Sequence, residues 1–175
     1  MSSFRGKPHV APFVGPPWHV AAAWLIAAVI AQATIGHALA VRDVVPSLVL
    51  VVVVWYAIRV DVLRAAAFGL AAGLCGDVLG AQTGAAWTIS TLVTATLTSV
   101  ISRGFFADSI PLVIVVTVVA TLVRALLFWM TMSLEGYPSG LGVMHFREAV
   151  LAAALNGAVM IAAMLVARRF HVREA

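Results

Sequence analysis

Two ionisable side chains, Asp77 and Arg124, stand inside long apolar runs of the chain. A lone charge at the centre of a bilayer costs at least ~2.5 to 3.5 kcal/mol on insertion scales, so each needs a partner or a task. A proton or substrate site is one such task. Mutual neutralisation is the simpler reading, because each residue lies about 12 to 13 positions into a segment entered from the same side, or ~18 to 20 Å of helical rise. An ion pair that locks two helices together is therefore expected.

Other chemistry finds little support in the residues. The five histidines, His9, His19, His37, His145 and His171, are scattered over separate segments without metal-ligand spacing. There is no Walker A run, no dinucleotide fingerprint, no HExxH and no nucleophile elbow. Cys75 is the single cysteine and has no partner for an internal disulfide. We expect no catalytic residue, no cofactor and no metal, and a non-enzymatic role.

The elements that must position Asp77 and Arg124 follow from composition. Of 175 residues, 63% are hydrophobic and 10% charged, and mean hydropathy is +1.07. That is far from the balance of a soluble domain. Spans of ~20 apolar residues are needed to cross a bilayer, and six candidates occur at about 18–40, 44–58, 65–80, 85–101, 111–133 and 149–167. The expectation is an all-α integral membrane protein, a six-helix bundle filling residues 18–169. A Pro-rich arm precedes it (1–17) and a short basic tail follows (170–175). Arg5, Lys7, Arg59, Arg64, Arg103, Arg168, Arg169 and Arg173 fall on one side of these spans and Arg42 and Arg147 on the other. The positive-inside rule then puts both termini in the cytoplasm of a multi-pass inner-membrane protein. The net charge of +4 reads as topology signal and lipid contact, with no nucleic acid as partner.

Within the third span Gly69, Gly73, Gly76 and Gly80 recur on one narrow helical face, with Gly84 continuing the series, and this predicts close approach of another helix. Thr91, Thr94 and Thr98 in the fourth span can return their hydroxyl bonds to the preceding turn and are expected to pack in the core, a hydrated cavity being the alternative. Asn156 in the sixth is expected to be buried with its amide bonded across helices. Ala23, Ala27 and Ala31 give the first helix a smooth face suited to this chain or to a partner. The branched run Leu48 to Val54 suggests a lipid-facing second helix, with Trp55 and Tyr56 at its interface. Residues 135–148 form the longest predicted connection.

From Pro46 to about Arg169 the chain resembles the bacterial rod shape-determining protein MreD family. The resemblance rests on Pro46 opening the second helix, Tyr56 near its end, and the run Gly69-Leu70-Ala71-Ala72-Gly73-Leu74-Cys75-Gly76-Asp77-Val78-Leu79 leading into Gly84. An aspartate in a glycine-rich third helix, followed by a glycine seven residues later, is that family's pattern. The resemblance implies a scaffold subunit of the cell-elongation complex that supports peptidoglycan synthesis and cell shape. Its implied partners are MreC, MreB, RodA and the class B penicillin-binding protein of RodA. It also implies a fold similar to the substrate-binding S-components of energy-coupling-factor vitamin transporters, so an S-component is the alternative function. Against it, Trp129, Tyr137 and His145 are the few aromatic and polar residues near the outer ends of the last three helices.

Overall fold

The computed structural model describes residues 15–80, 84–102, 109–136 and 138–171. Most of the Pro-rich arm, residues 81–83, residues 103–108 with Arg103, Tyr137 and the last four residues of the tail lie outside the described residues. Six α-helices follow in order: α1 (Trp18–Ile35), α2 (Leu48–Ala57), α3 (Val62–Gly80), α4 (Ala86–Ile101), α5 (Ile110–Leu134) and α6 (Gly142–His171). Short 3-10 turns occupy Gly36–Leu39 and Ser139–Leu141.

Four helices, α1, α3, α5 and α6, are long and apolar enough to cross a membrane. The other two are shorter. With 10 residues α2 rises only about 15 Å, half of a ~30 Å hydrocarbon core.

Local chemistry sets several of these boundaries. Before α2 the chain turns through Arg42 and Asp43, both in the left-handed region at φ 51° and 66°, and Val41 and Val44 exchange backbone hydrogen bonds of 3.0 and 3.1 Å. Pro46, which has no N–H, follows, so the helix expected from residue 44 starts at Leu48 with Ser47 as its N-cap. The backbone N–H of Arg64 donates to Asp61 Oδ1 at 3.0 Å, which starts α3 three residues before the expected 65. At the other end of the chain α6 begins at Gly142, not 149. Residues 142–148 hold no proline, and Arg147 and Glu148 lower hydropathy without breaking a helix, so the connection is shorter than its polarity suggests.

The lipid-facing position expected of α2 is also corrected. Leu50, Val51, Val53 and Val54 are all 5% exposed or less, and the helix packs against α1, α3, α4, α5 and α6. A helix that is apolar all round belongs at the centre of a bundle as readily as in lipid. Tyr56 is likewise buried and packs on Phe68 at 4.5 Å rather than marking an interface.

Around this central helix the interior mixes apolar clusters with polar groups, while the outside is apolar. Thr88, Ser90, Thr91, Thr94, Thr98, Ser99, Thr117, Thr121 and Asn156 are buried, while Trp24, Ile26, Leu63, Leu74, Val78, Val115 and Leu165 are exposed. Hydroxyls that bond to the preceding turn, as Thr117 and Thr121 do at 2.8 Å, give close contacts between helices without unsatisfied donors.

Candidate functional site

The tightest helix pair is α3 with α4, and the glycines explain why. A Cβ on Gly73 would lie 2.5 Å from the Thr88 Cα and one on Gly69 would lie 2.6 Å from the Ala95 Cβ. At Gly76 the contact would be 3.1 Å from the Trp87 Cβ. Backbones approach here to a distance that no side chain permits. Gly80 ends α3 and is exposed, so the packed stripe has three members rather than four. Gly84, at φ +54°, turns the chain toward α4, and a Cβ there would meet Glu135 Oε1 at 2.6 Å.

This close approach brings Asp77 to the start of α4. Its Oδ1 accepts the N–H of Trp87 at 3.0 Å, and its Oδ2 accepts the N–H of Thr88 at 2.9 Å and the Thr88 hydroxyl at 2.5 Å. These are second- and third-position N–H groups of α4, which no intrahelical carbonyl can satisfy. The N-cap residue itself, Ala85, makes no side-chain capping bond. A carboxylate from α3 thus caps α4 and also sits at the positive end of its dipole.

Arg124 reaches the same place from α5. Its guanidinium lies over the Trp87 ring, 4.9 Å from the centroid, and donates to the Ser47 Oγ at 3.2 Å. The two charges therefore meet through one indole, with its backbone on Asp77 and its ring face under Arg124. Among the described residues Arg124 makes these contacts and no ion pair within 4 Å with Asp77, so the direct contact expected from equal depth gives way to this indirect one. Equal depth follows from rise alone, and rise does not fix which way either side chain turns.

Ser47 belongs to a second capped helix start. The Gln32 amide of α1 donates to the Pro46 carbonyl at 3.0 Å and its oxygen accepts the Leu48 N–H at 2.7 Å. Asn156 of α6, wholly buried, accepts the Ser47 N–H at 2.7 Å and donates to the Thr121 Oγ1 at 3.1 Å. The beginnings of α2 and α4 both lie at the level of Arg124, each satisfied by side chains from neighbouring helices. Thr91, Thr94 and Thr98 line the buried face of α4, and Thr94 Oγ1 has no hydrogen-bond partner among the described residues.

An aromatic group adjoins Arg124. Trp87 packs on Phe128 at 4.4 Å, and His145 stacks on Phe128 at 5.8 Å and on Trp129 at 5.5 Å. His145 Nε2 is 3.0 Å from the Ala125 carbonyl, to which it donates. Sequence reading singles out Asp77, Arg124 and Asn156 but misses Gln32, Ser47 and Trp87. Ser47 carries a signal, a serine between a proline and an apolar run; nothing in the spacing of Gln32 or Trp87 marks them. No protein-family model matches the chain, and neither a curated protein nor a solved structure is found to match it.

Proposed function

We propose that the protein is a non-enzymatic scaffold of the bacterial inner membrane, of the kind the resemblance to MreD implies, with six spans and both termini cytoplasmic. The observation that carries this reading is where the polar groups go. Asp77, Arg124, Gln32 and Asn156 direct their hydrogen bonds to helix starts and hydroxyls of the same chain. The site builds a rigid body. Small residues meanwhile face outward: Ala23 and Ala27 of α1 are exposed, whereas the opposite face, Ala21, Leu25 and Ala28, is buried. A rigid bundle with a smooth outer face suits docking to other membrane proteins, here MreC and the synthase pair of RodA and its penicillin-binding protein, with MreB on the cytoplasmic side.

One observation favours the vitamin-transporter S-component as a second reading. Trp87, Phe128, Trp129 and His145 form a contiguous aromatic group beside Arg124, a richer set than the sequence suggests, and such groups recognise small ligands. Deletion in a rod-shaped host separates the two. Rounded cells, with MreC recovered on the tagged protein from mild detergent, support the scaffold; normal shape with lost vitamin uptake supports the transporter subunit.

A further inference from the structure

A groove of about 650 Å³ lies between α5 and α6 at the end where the two helices are joined. Trp129 and Ser133 of α5 form one side, and Val143, Phe146, Arg147 and Val150 of α6 form the other. Positions 143, 146, 147 and 150 share one helical face, so three apolar side chains and one cation make a single stripe. Gly142 keeps the upper end open: a Cβ there would come within 3.0 Å of the Trp129 ring.

Two independent features say what fits. The first is depth. Trp129 lies five residues before the end of α5 at Leu134, and Arg147 five residues after the start of α6 at Gly142. At 1.5 Å per residue both sit about 8 Å inside the helix ends, the level where hydrocarbon gives way to headgroups. The second is charge. Arg147 is exposed, and among the described residues the ion pair within 4 Å involves other side chains. Glu148 projects roughly 100° away around the helix. A cation at headgroup level in an apolar slot that continues inward to Val150 is complementary to a phosphate carrying an acyl chain.

We propose that this groove binds an anionic glycerophospholipid, the phosphate on Arg147, whose side chain leans toward the start of α6 and the Ser133 hydroxyl, and one acyl chain passing Phe146 and Trp129 toward Val150. The proposal rests on reading these helices as membrane-spanning, and concerns a site that the scaffold reading does not assign.

The test uses the full chain, purified in mild detergent and mixed with phosphatidylglycerol or phosphatidylcholine for native mass spectrometry. Arg147→Gln removes the cation, and Val150→Trp fills the slot at an exposed position where folding tolerates bulk. Arg168→Gln, an exposed cation near the far end of α6, is the control. The expected result is one retained phosphatidylglycerol per chain, preferred over phosphatidylcholine. Retention should weaken about tenfold in either groove variant and stay unchanged in the control. Equal retention of both lipids, or equal retention by wild type and both groove variants, overturns the proposal. Alkaline carbonate extraction distinguishes the two possible failures. A wild-type chain stripped from membranes overturns the membrane reading and the groove together, whereas an embedded chain with unaltered lipid retention overturns the groove alone.

Discussion

Trp87 holds Asp77 by its backbone and Arg124 by its ring, so the energetic link between the two charges should run through that residue. Asp77→Asn keeps one acceptor oxygen and loses the charge that strengthens three hydrogen bonds, a cost of about 1.5 to 3 kcal/mol. A double-mutant cycle of Asp77→Asn and Arg124→Gln should show coupling in thermal or chaotrope unfolding in detergent. The same cycle repeated in a Trp87→Leu background should show it collapse. Persistence of the coupling without the indole would mean that the charges act on each other directly across the bundle. Asn156→Leu makes a separate case, because it leaves the Ser47 N–H without its acceptor in a buried place and removes a donor to the Thr121 Oγ1, whose own hydroxyl still bonds the Thr117 carbonyl. The expected loss is about 1 to 3 kcal/mol, and Asn156→Asp, which retains the acceptor, should show whether the Ser47 bond is the larger part.

The glycine contacts make a graded series at the level of the helix pair. Gly73 faces the α4 backbone at Thr88, which cannot yield, whereas Gly76 faces the Trp87 side chain, and a Cβ at Gly157 would meet the tips of Val118 and Ile114 at 3.4 and 3.7 Å, ordinary contact distances. Gly73→Ala should therefore destabilise most, by about 1 to 3 kcal/mol, with Gly76→Ala milder. Gly157→Ala should be close to neutral. Equal midpoints for all three would mean that α3 and α4 separate readily. This stripe is legible in sequence because glycine repeated on one helical face weakens the helix unless a neighbouring backbone comes close enough to repay it. The helices α1, α4 and α5 are legible because their apolar runs end at proline, glycine or charge. The role of α2 is not. A run of leucine and valine has the same composition at the centre of a bundle as on its lipid face, and only packing against five neighbours distinguishes them. The start of α6 is equally hidden, since hydropathy falls at Arg147 while helix propensity does not.

For the molecule as a whole, buried polar groups and an apolar outer surface fit the proposed six-span topology, which reporter fusions can test. Fusions after Ala81 and Gly140 should report the outer side and one after Arg103 the inner side, as the distribution of basic residues requires. One reversed reporter overturns the arrangement. If α2 and α4 re-enter without crossing, the fusion after Ala81 alone moves to the inner side, while those after Arg103 and Gly140 keep their assignments.

The Ser47 N–H finds its acceptor 109 residues further along the chain, on the last helix. During synthesis from the N-terminus, then, the second helix emerges long before anything can complete its first turn. Until α6 has joined, a backbone donor of α2 faces an apolar interior without an acceptor, which is costly in hydrocarbon. A nascent chain cut short is thus an incomplete object at its own centre, not merely at its end. Ribosome release after Gly140 should yield a product that membrane proteases clear faster than the full chain in a pulse-chase experiment, and supplying residues 141–175 as a separate segment should lengthen its lifetime. In this way assembly carries its own proofreading: the final helix certifies the centre of the bundle.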